Sequence, residues 1–128
     1  MNAASAKTPD VPTSEEFLRT MGQVSWLLTL SMDHRDKPIT YLETHVAAPL
    51  MLKQVRVVTR GNQPIAALTW AYASPEVTAR IEAGDRTMAL GDWRSGPEIV
   101  IVDVISPLVD RQIIINQFLG QVRSLGQA

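Results

Sequence analysis

Three side chains in this sequence stand out as candidates to move a proton. Asp103 interrupts the apolar run Ile99-Val100-Ile101-Val102-Asp103-Val104-Ile105. A carboxylate inside such a strand is expensive to desolvate unless it is paired. It closes a strand end, meets an arginine, or belongs to a working site. His34 lies in the charged stretch Asp33-His34-Arg35-Asp36. An imidazole, with an ordinary pKa of ~6.5, suits general-base work near neutral pH. His45 lies in a segment read below as a strand, which would turn it toward a core or a cleft. A histidine and an aspartate that orients it are the minimum for such transfer. Nothing in their separation along the chain brings His34 and Asp103 together, so the residues alone give a candidate acid–base pair and no more.

Other chemistries are excluded or unsupported. The 128-residue chain has no cysteine, which removes disulfides, cysteine zinc sites and thiolate catalysis, and its two histidines cannot form a three-histidine metal site. Around Gly61 and over Gly91–Gly96 there is neither G-x-G-x-x-G nor a P-loop, so no nucleotide cradle is supported. The R-x-x-G-x-G turn that binds the pyrophosphate of coenzyme A is also missing. Twelve Lys+Arg against 13 Asp+Glu give a net charge of −1, with no basic excess to track a nucleic acid. No apolar run approaches the ~20 residues of a membrane span, and the N-terminal stretch has no signal-peptide core; the expectation is a cytoplasmic protein. Trp26, Trp70 and Trp93 are read as core or cleft-wall aromatics.

The elements that must position these residues follow from local patterns. Residues 1–12 are small and polar and read as a flexible leader to a single domain over 13–128. Thr13 and Glu16 form a T-x-x-E capping box ahead of Phe17, Met21, Val24 and Leu28 at helical spacing, with a break or tight packing open at Gly22. Ser31 to Pro38 reads as a loop. Ile39 to Val46 suits a strand with Ile39, Tyr41, Glu43 and His45 on one face. Gln54–Arg60 and Pro64–Tyr72 predict two more strands linked by Gly61-Asn62-Gln63 as a hairpin. Ser74-Pro75-Glu76 starts a helix that stops near Gly84. Glu98–Ile105, apolar on both faces, predicts a central strand. Asp110 caps a last helix with Ile114, Phe118, Val122 and Leu125 in register. Helix, three strands, helix, strand, helix suggests an α/β (α+β) domain: a mixed, mostly antiparallel sheet flanked by helices.

Five short motifs in order resemble one family, the toxin-activating lysine acyltransferases that modify RTX haemolysins. Gly22-Gln23-Val24-Ser25-Trp26-Leu27 is similar to its opening G-x-V-S-W-L, and Ser31-Met32-Asp33-His34-Arg35 to its S-x-x-H-R loop. Arg60-Gly61-Asn62-Gln63-Pro64, followed by Trp70-Ala71 and Ser74, resembles its R-x-N-x-P hairpin and S/T-W-A strand end. Asp92-Trp93-Arg94-Ser95-Gly96 looks like D-W-x-S-G. Ile101 to Pro107 is similar to the strand that carries the family's second catalytic residue. The match covers roughly residues 21–110.

The resemblance implies a GNAT-like fold, with acyl-carrier protein rather than coenzyme A as acyl donor and no bound cofactor. It implies transfer of a fatty acyl chain to the ε-amino group of an internal lysine of an RTX-type protoxin or similar polypeptide, by a homodimer. His34 then takes the catalytic histidine position and Asp103 the catalytic aspartate position. Ser31 is a supporting hydrogen-bonder. His45, which stands where the family tends to have asparagine, positions the substrate amine. Two alternatives remain open from sequence: a truncated, non-catalytic relative that binds carrier protein or toxin, and a coenzyme-A-dependent N-acetyltransferase.

Overall fold

A computed structural model describes the backbone of residues 11–126 and side chains through residue 124. The predicted leader lies outside the described residues except for Val11 and Pro12, as does the Leu125 side chain. Helix α1 spans Ser14–Leu30 and opens on the expected capping box: Glu16 N–H donates to Thr13 Oγ1 (3.1 Å) and Thr13 N–H to Glu16 Oε1 (2.8 Å). Gly22 neither breaks the helix nor packs tightly, for an added Cβ there would meet nothing within 4 Å. Val24, Leu27 and Leu28 form the buried stripe, with Met21 packed against its rim.

The segment expected to be a strand over 39–46 is helical. Three segments abut: α2 (Thr40–Leu42), a π-helical turn (Glu43–Ala47) and α3 (Ala48–Met51). The alternation of Ile39, Tyr41, Glu43 and His45 concealed a stronger stripe of period 3.6 at Leu42, Val46 and Leu50, of which the last two are buried. Ile39, expected to share a strand face with Tyr41, Glu43 and His45, is 81% exposed. The wide turn has a local reason. Pro49 has no N–H to return to the His45 carbonyl four residues back, and its ring crowds that oxygen.

The strands β1 (Val55–Arg60), β2 (Gln63–Ala73) and β3 (Glu98–Ile105) form an antiparallel sheet in the order β1-β2-β3. Only two strands therefore precede helix α4 (Pro75–Glu82), and β2, not β3, is central. β2 is buried from Ile65 through Ala71, while β3 is an edge. The hairpin link is the two residues Gly61-Asn62, because Gln63 already pairs with Arg60; the left-handed φ of 62° at Gly61 is what the tight turn needs. Ser74 caps α4 by accepting from Val77 N–H (3.2 Å). Gly84, at φ 100°, ends it with bonds from Gly84 N–H to Ile81 O and Asp85 N–H to Arg80 O.

Helix α5 (Arg111–Gly126) covers one sheet face, packing Ile114 and Phe118 against Ala66, Leu68, Trp70 and Val104. The opposite face carries α1, the π turn and α3 over Ala67, Ala71, Ala73 and Ile105. The antiparallel sheet flanked by helices matches the expected class. Trp70 and Trp93 are core residues, but Trp26 is 43% exposed and is not. No helix among the described residues is long and apolar enough to cross a membrane.

Candidate active site

The Ser31–His34 arrangement is built by the chain itself. Ser31 closes α1, its N–H bonding Leu28 O (3.2 Å), and its carbonyl receives the N–H groups of His34 (3.0 Å) and Arg35 (2.9 Å). This turn folds the ring back over the helix end, with Nδ1 2.6 Å from Ser31 Oγ. Although its neighbours in sequence are charged and exposed, His34 itself is only 7% exposed.

Asp103 reaches the same place from the sheet, next to a β-bulge. The pairing passes from Thr69↔Asp103 to Trp70↔Ile101, leaving Val102 as the extra residue on β3. Alternation counted from Val104 and Ile105 sets Asp103 on the α1 face, and the bulge is where Ile101 falls out of that count. Ile101 and Val104 pack toward α5, while Val102 joins the core beside Ala71 and Trp93. Asp103 turns to the α1 face, where both its oxygens lie 3.0 Å from His34 Nε2. Oδ1 also accepts from Val104 N–H at 2.9 Å. The carboxylate is 17% exposed, so the pair is partly shielded from water.

His34 and Asp103 line a groove of about 980 Å³ along the outer edge of β3. It runs past Tyr41, His45 and Arg86 to Ile115 and Leu119 of α5. Ser31 is absent from its wall and sits behind the ring. A carboxylate demands a proton on Nε2 when the ring is at rest, which leaves Nδ1 to accept from the Ser31 hydroxyl. The serine thereby orients the ring from the side away from the groove.

His45 is not joined to this pair. Its Nε2–H donates to Arg86 O (2.7 Å) and its Nδ1 lies 2.7 Å from Thr44 Oγ1. Its ring stacks on Tyr41 with centroids 4.6 Å apart and planes 3° from parallel, and Tyr41 lies 6.0 Å from His34. Tyr41 therefore fills the wall between the two histidines. Reading residues 39–46 as a strand hid this, since Tyr41 and His45 meet only at helical i, i+4 spacing. Among the described residues no three His, Cys, Asp or Glu side chains converge as a metal site requires.

Several motif residues are scaffold. Gln54, unremarked in the sequence, is buried and donates to Trp70 O and Trp93 O (3.0 Å each), while Arg94 Nε donates to its Oε1 (2.7 Å). Asp92 accepts from Arg80 (2.7 Å) and from Ala89 N–H (2.9 Å). Gly96 lies against the end of β2, where a Cβ would come within 2.6 Å of Ala73 O and Ser74. Only glycine fits that contact.

Comparison with known proteins bears on this geometry. The chain is 31% identical over 93 residues to the protein-lysine myristoyltransferase HlyC of Escherichia coli, covering 73% of this chain and 53% of that protein. It is 29% identical over 94 residues to the RTX-II toxin-activating lysine-acyltransferase ApxIIC of Actinobacillus pleuropneumoniae, covering 73% and 59%. With the protein-lysine palmitoyltransferase CyaC of Bordetella bronchiseptica it shares 25% over 103 residues, covering 80% and 56%. The chain thus spans little more than half the length of these relatives. A family model described as the RTX toxin acyltransferase family matches residues 13–124, nearly the whole described fold and all of the groove, and the chain belongs to that family.

Proposed function

We propose that this protein moves a fatty acyl group from acyl-carrier protein to the ε-amino group of an internal lysine of an RTX-type protoxin or similar polypeptide. The observation that carries the proposal is the His34–Asp103 pair, Nε2 at 3.0 Å from both carboxylate oxygens, at the wall of the groove. A lysine, with an ordinary pKa of ~10.4, arrives protonated and must lose a proton before it can attack. His34 takes that proton, and Asp103 balances the charge on the ring. The amine nitrogen then bonds to the thioester carbon and the C–S bond breaks. The imidazolium returns one proton to the departing thiolate, and a second proton from the amine goes to solvent. Amide and thiol are the products. Ile99, Ile101 and Leu119 give the groove an apolar stretch suited to an acyl chain. His45 and Tyr41 form part of its wall and position the amine.

The test incubates the protein with myristoyl- or palmitoyl-loaded acyl-carrier protein and an RTX protoxin, and reads acyl mass on lysine by mass spectrometry. The expected result is a hydroxylamine-stable amide, with the matching acyl-coenzyme A a poor donor, and a loss of at least ~10²-fold in rate for His34→Ala. Unchanged transfer by that variant overturns the assignment. A clear preference for coenzyme A supports the N-acetyltransferase alternative instead.

A further inference from the structure

At rest neither ring nitrogen of His34 is free, with Ser31 Oγ 2.6 Å from Nδ1 and Asp103 3.0 Å from Nε2. To take a proton from a substrate amine, Nε2 must carry its lone pair, with the ring proton on Nδ1 donating to Ser31 Oγ. In that state the Nε2 lone pair faces the lone pairs of the Asp103 carboxylate at the same short distance. The carboxylate has to turn away, and a partly buried oxygen that turns away needs another donor.

Thr69 is placed to be that donor. It stands directly across the β2–β3 ladder from Asp103, so both side chains rise from one face with Cβ atoms about 4.5–5.5 Å apart. Thr69 is 1% exposed, and its Oγ1 has no hydrogen-bond partner among the described residues. Buried hydroxyls are nearly always paired, and an unpaired one asks for an explanation. Its neighbours on the same face are apolar, Val55 on β1 and Ala67 and Ala71 on β2. Valine would fill the same space with no orphaned group. The carboxylate also has a second donor: Oδ1, 3.0 Å from His34 Nε2, accepts from Val104 N–H at 2.9 Å, whereas among the described residues His34 is the one partner of Oδ2.

We infer that Thr69 is a positioning residue of the transfer reaction, its hydroxyl receiving Oδ2 of Asp103 while His34 Nε2 is open to the substrate amine. The inference rests on the acid–base roles given above to His34 and Asp103. Both carboxylate oxygens withdraw from Nε2, Oδ1 staying on Val104 N–H while Oδ2 accepts from Thr69 Oγ1–H. Nε2 then takes one proton from the lysine ammonium, leaving a neutral amine and an imidazolium. The new Nε2–H draws Oδ2 back, and Thr69 is released.

The test compares Thr69→Val and Thr69→Ser in the full chain, using myristoyl-loaded acyl-carrier protein and an RTX protoxin. Thr69→Val keeps the volume and is expected to fold with an unchanged or raised Tm. Its kcat is expected to fall about 10- to 100-fold, the scale of a misplaced catalytic group, with KM for the donor unchanged. Thr69→Ser restores most of the rate. Wild-type kcat in the valine variant overturns the inference, as does a serine variant as slow as the valine one. A second readout is independent of turnover. Nitrogen-15 NMR of the two histidines is expected to show His34 in both tautomers in the wild type and held as Nε2–H in Thr69→Val. Identical tautomer populations overturn the inference. Absence of transfer by the wild type, or full transfer by His34→Ala, instead strikes the acid–base reading beneath it.

Discussion

Replacing Asp103 with asparagine separates catalysis from stability at the candidate site. The carboxylate makes three polar contacts: two of 3.0 Å to His34 Nε2 and one of 2.9 Å to Val104 N–H. An asparagine has one oxygen, and the strand backbone at Val104 holds it. The amide NH2 is then turned toward Nε2, which can only accept. The ring proton moves to Nδ1 and the lone pair needed for the lysine is occupied by the asparagine. Loss of a carboxylate that fixes an imidazole's tautomer lowers kcat by about 10⁴-fold in the best-studied triad. About 10³- to 10⁴-fold is expected here, or roughly 4–5.5 kcal/mol of barrier. The fold should tolerate the change. A hydrogen bond to a charged group contributes ~1.5–3 kcal/mol, and a neutral bond together with the avoided desolvation of the carboxylate restores much of that. A net loss of about 1 kcal/mol corresponds to a Tm lowered by about 3–5 °C for a domain of this size. Transfer to the protoxin lysine, followed by mass spectrometry beside thermal melting of the same preparation, measures both quantities. A folded Asp103→Asn protein with wild-type transfer shows that the pair is only structural, and the catalytic assignment of His34 loses its support.

Two further outcomes concern the scaffold. Gly96→Ala forces a methyl against Ala73 O and Ser74 at 2.6 Å, and a loss of ~1–3 kcal/mol is expected in urea denaturation; an unchanged midpoint would mean that the loop yields freely. The Thr13 backbone N–H, and after it the Thr13 hydroxyl, hold the Glu16 carboxyl below its ordinary pKa. A depressed carboxylate contributes stability that is present above the unfolded value and lost as pH falls through the folded one. Glu16→Gln should therefore flatten the fall in stability between about pH 5 and pH 3, and equal slopes in urea titrations of the two proteins would contradict the capping-box account.

What the amino-acid order determined by itself was whatever depends on near neighbours. The capping box at Thr13 and Glu16, the serine cap at Ser74 and the helix stop at Gly84 each use partners within five residues and formed as expected, and the hairpin at Gly61 formed with a link one residue shorter than expected. The Ser31–His34 contact is of the same kind, a side-chain pair closed within one turn. The family motifs were also legible, because they keep their spacing along the chain.

Tertiary structure decided the remainder. Residues 39–46 satisfy two periods at once, and packing of Val46 and Leu50 beneath α1 and β2 selected the helical one. The apolar composition of β3 suggested a central strand, yet its place in the sheet depends on which strands pair, and β2 took the centre. Above all, the meeting of His34 with Asp103, 69 residues apart, depends on how β3 registers against β2 under α1. Asp103 alternates regularly with Val104 and Ile105 and shares the α1 face with Thr69, while the bulge at Val102 breaks that alternation with Ile101. No local pattern encodes that shift, because a bulge arises from how two strands register across the sheet.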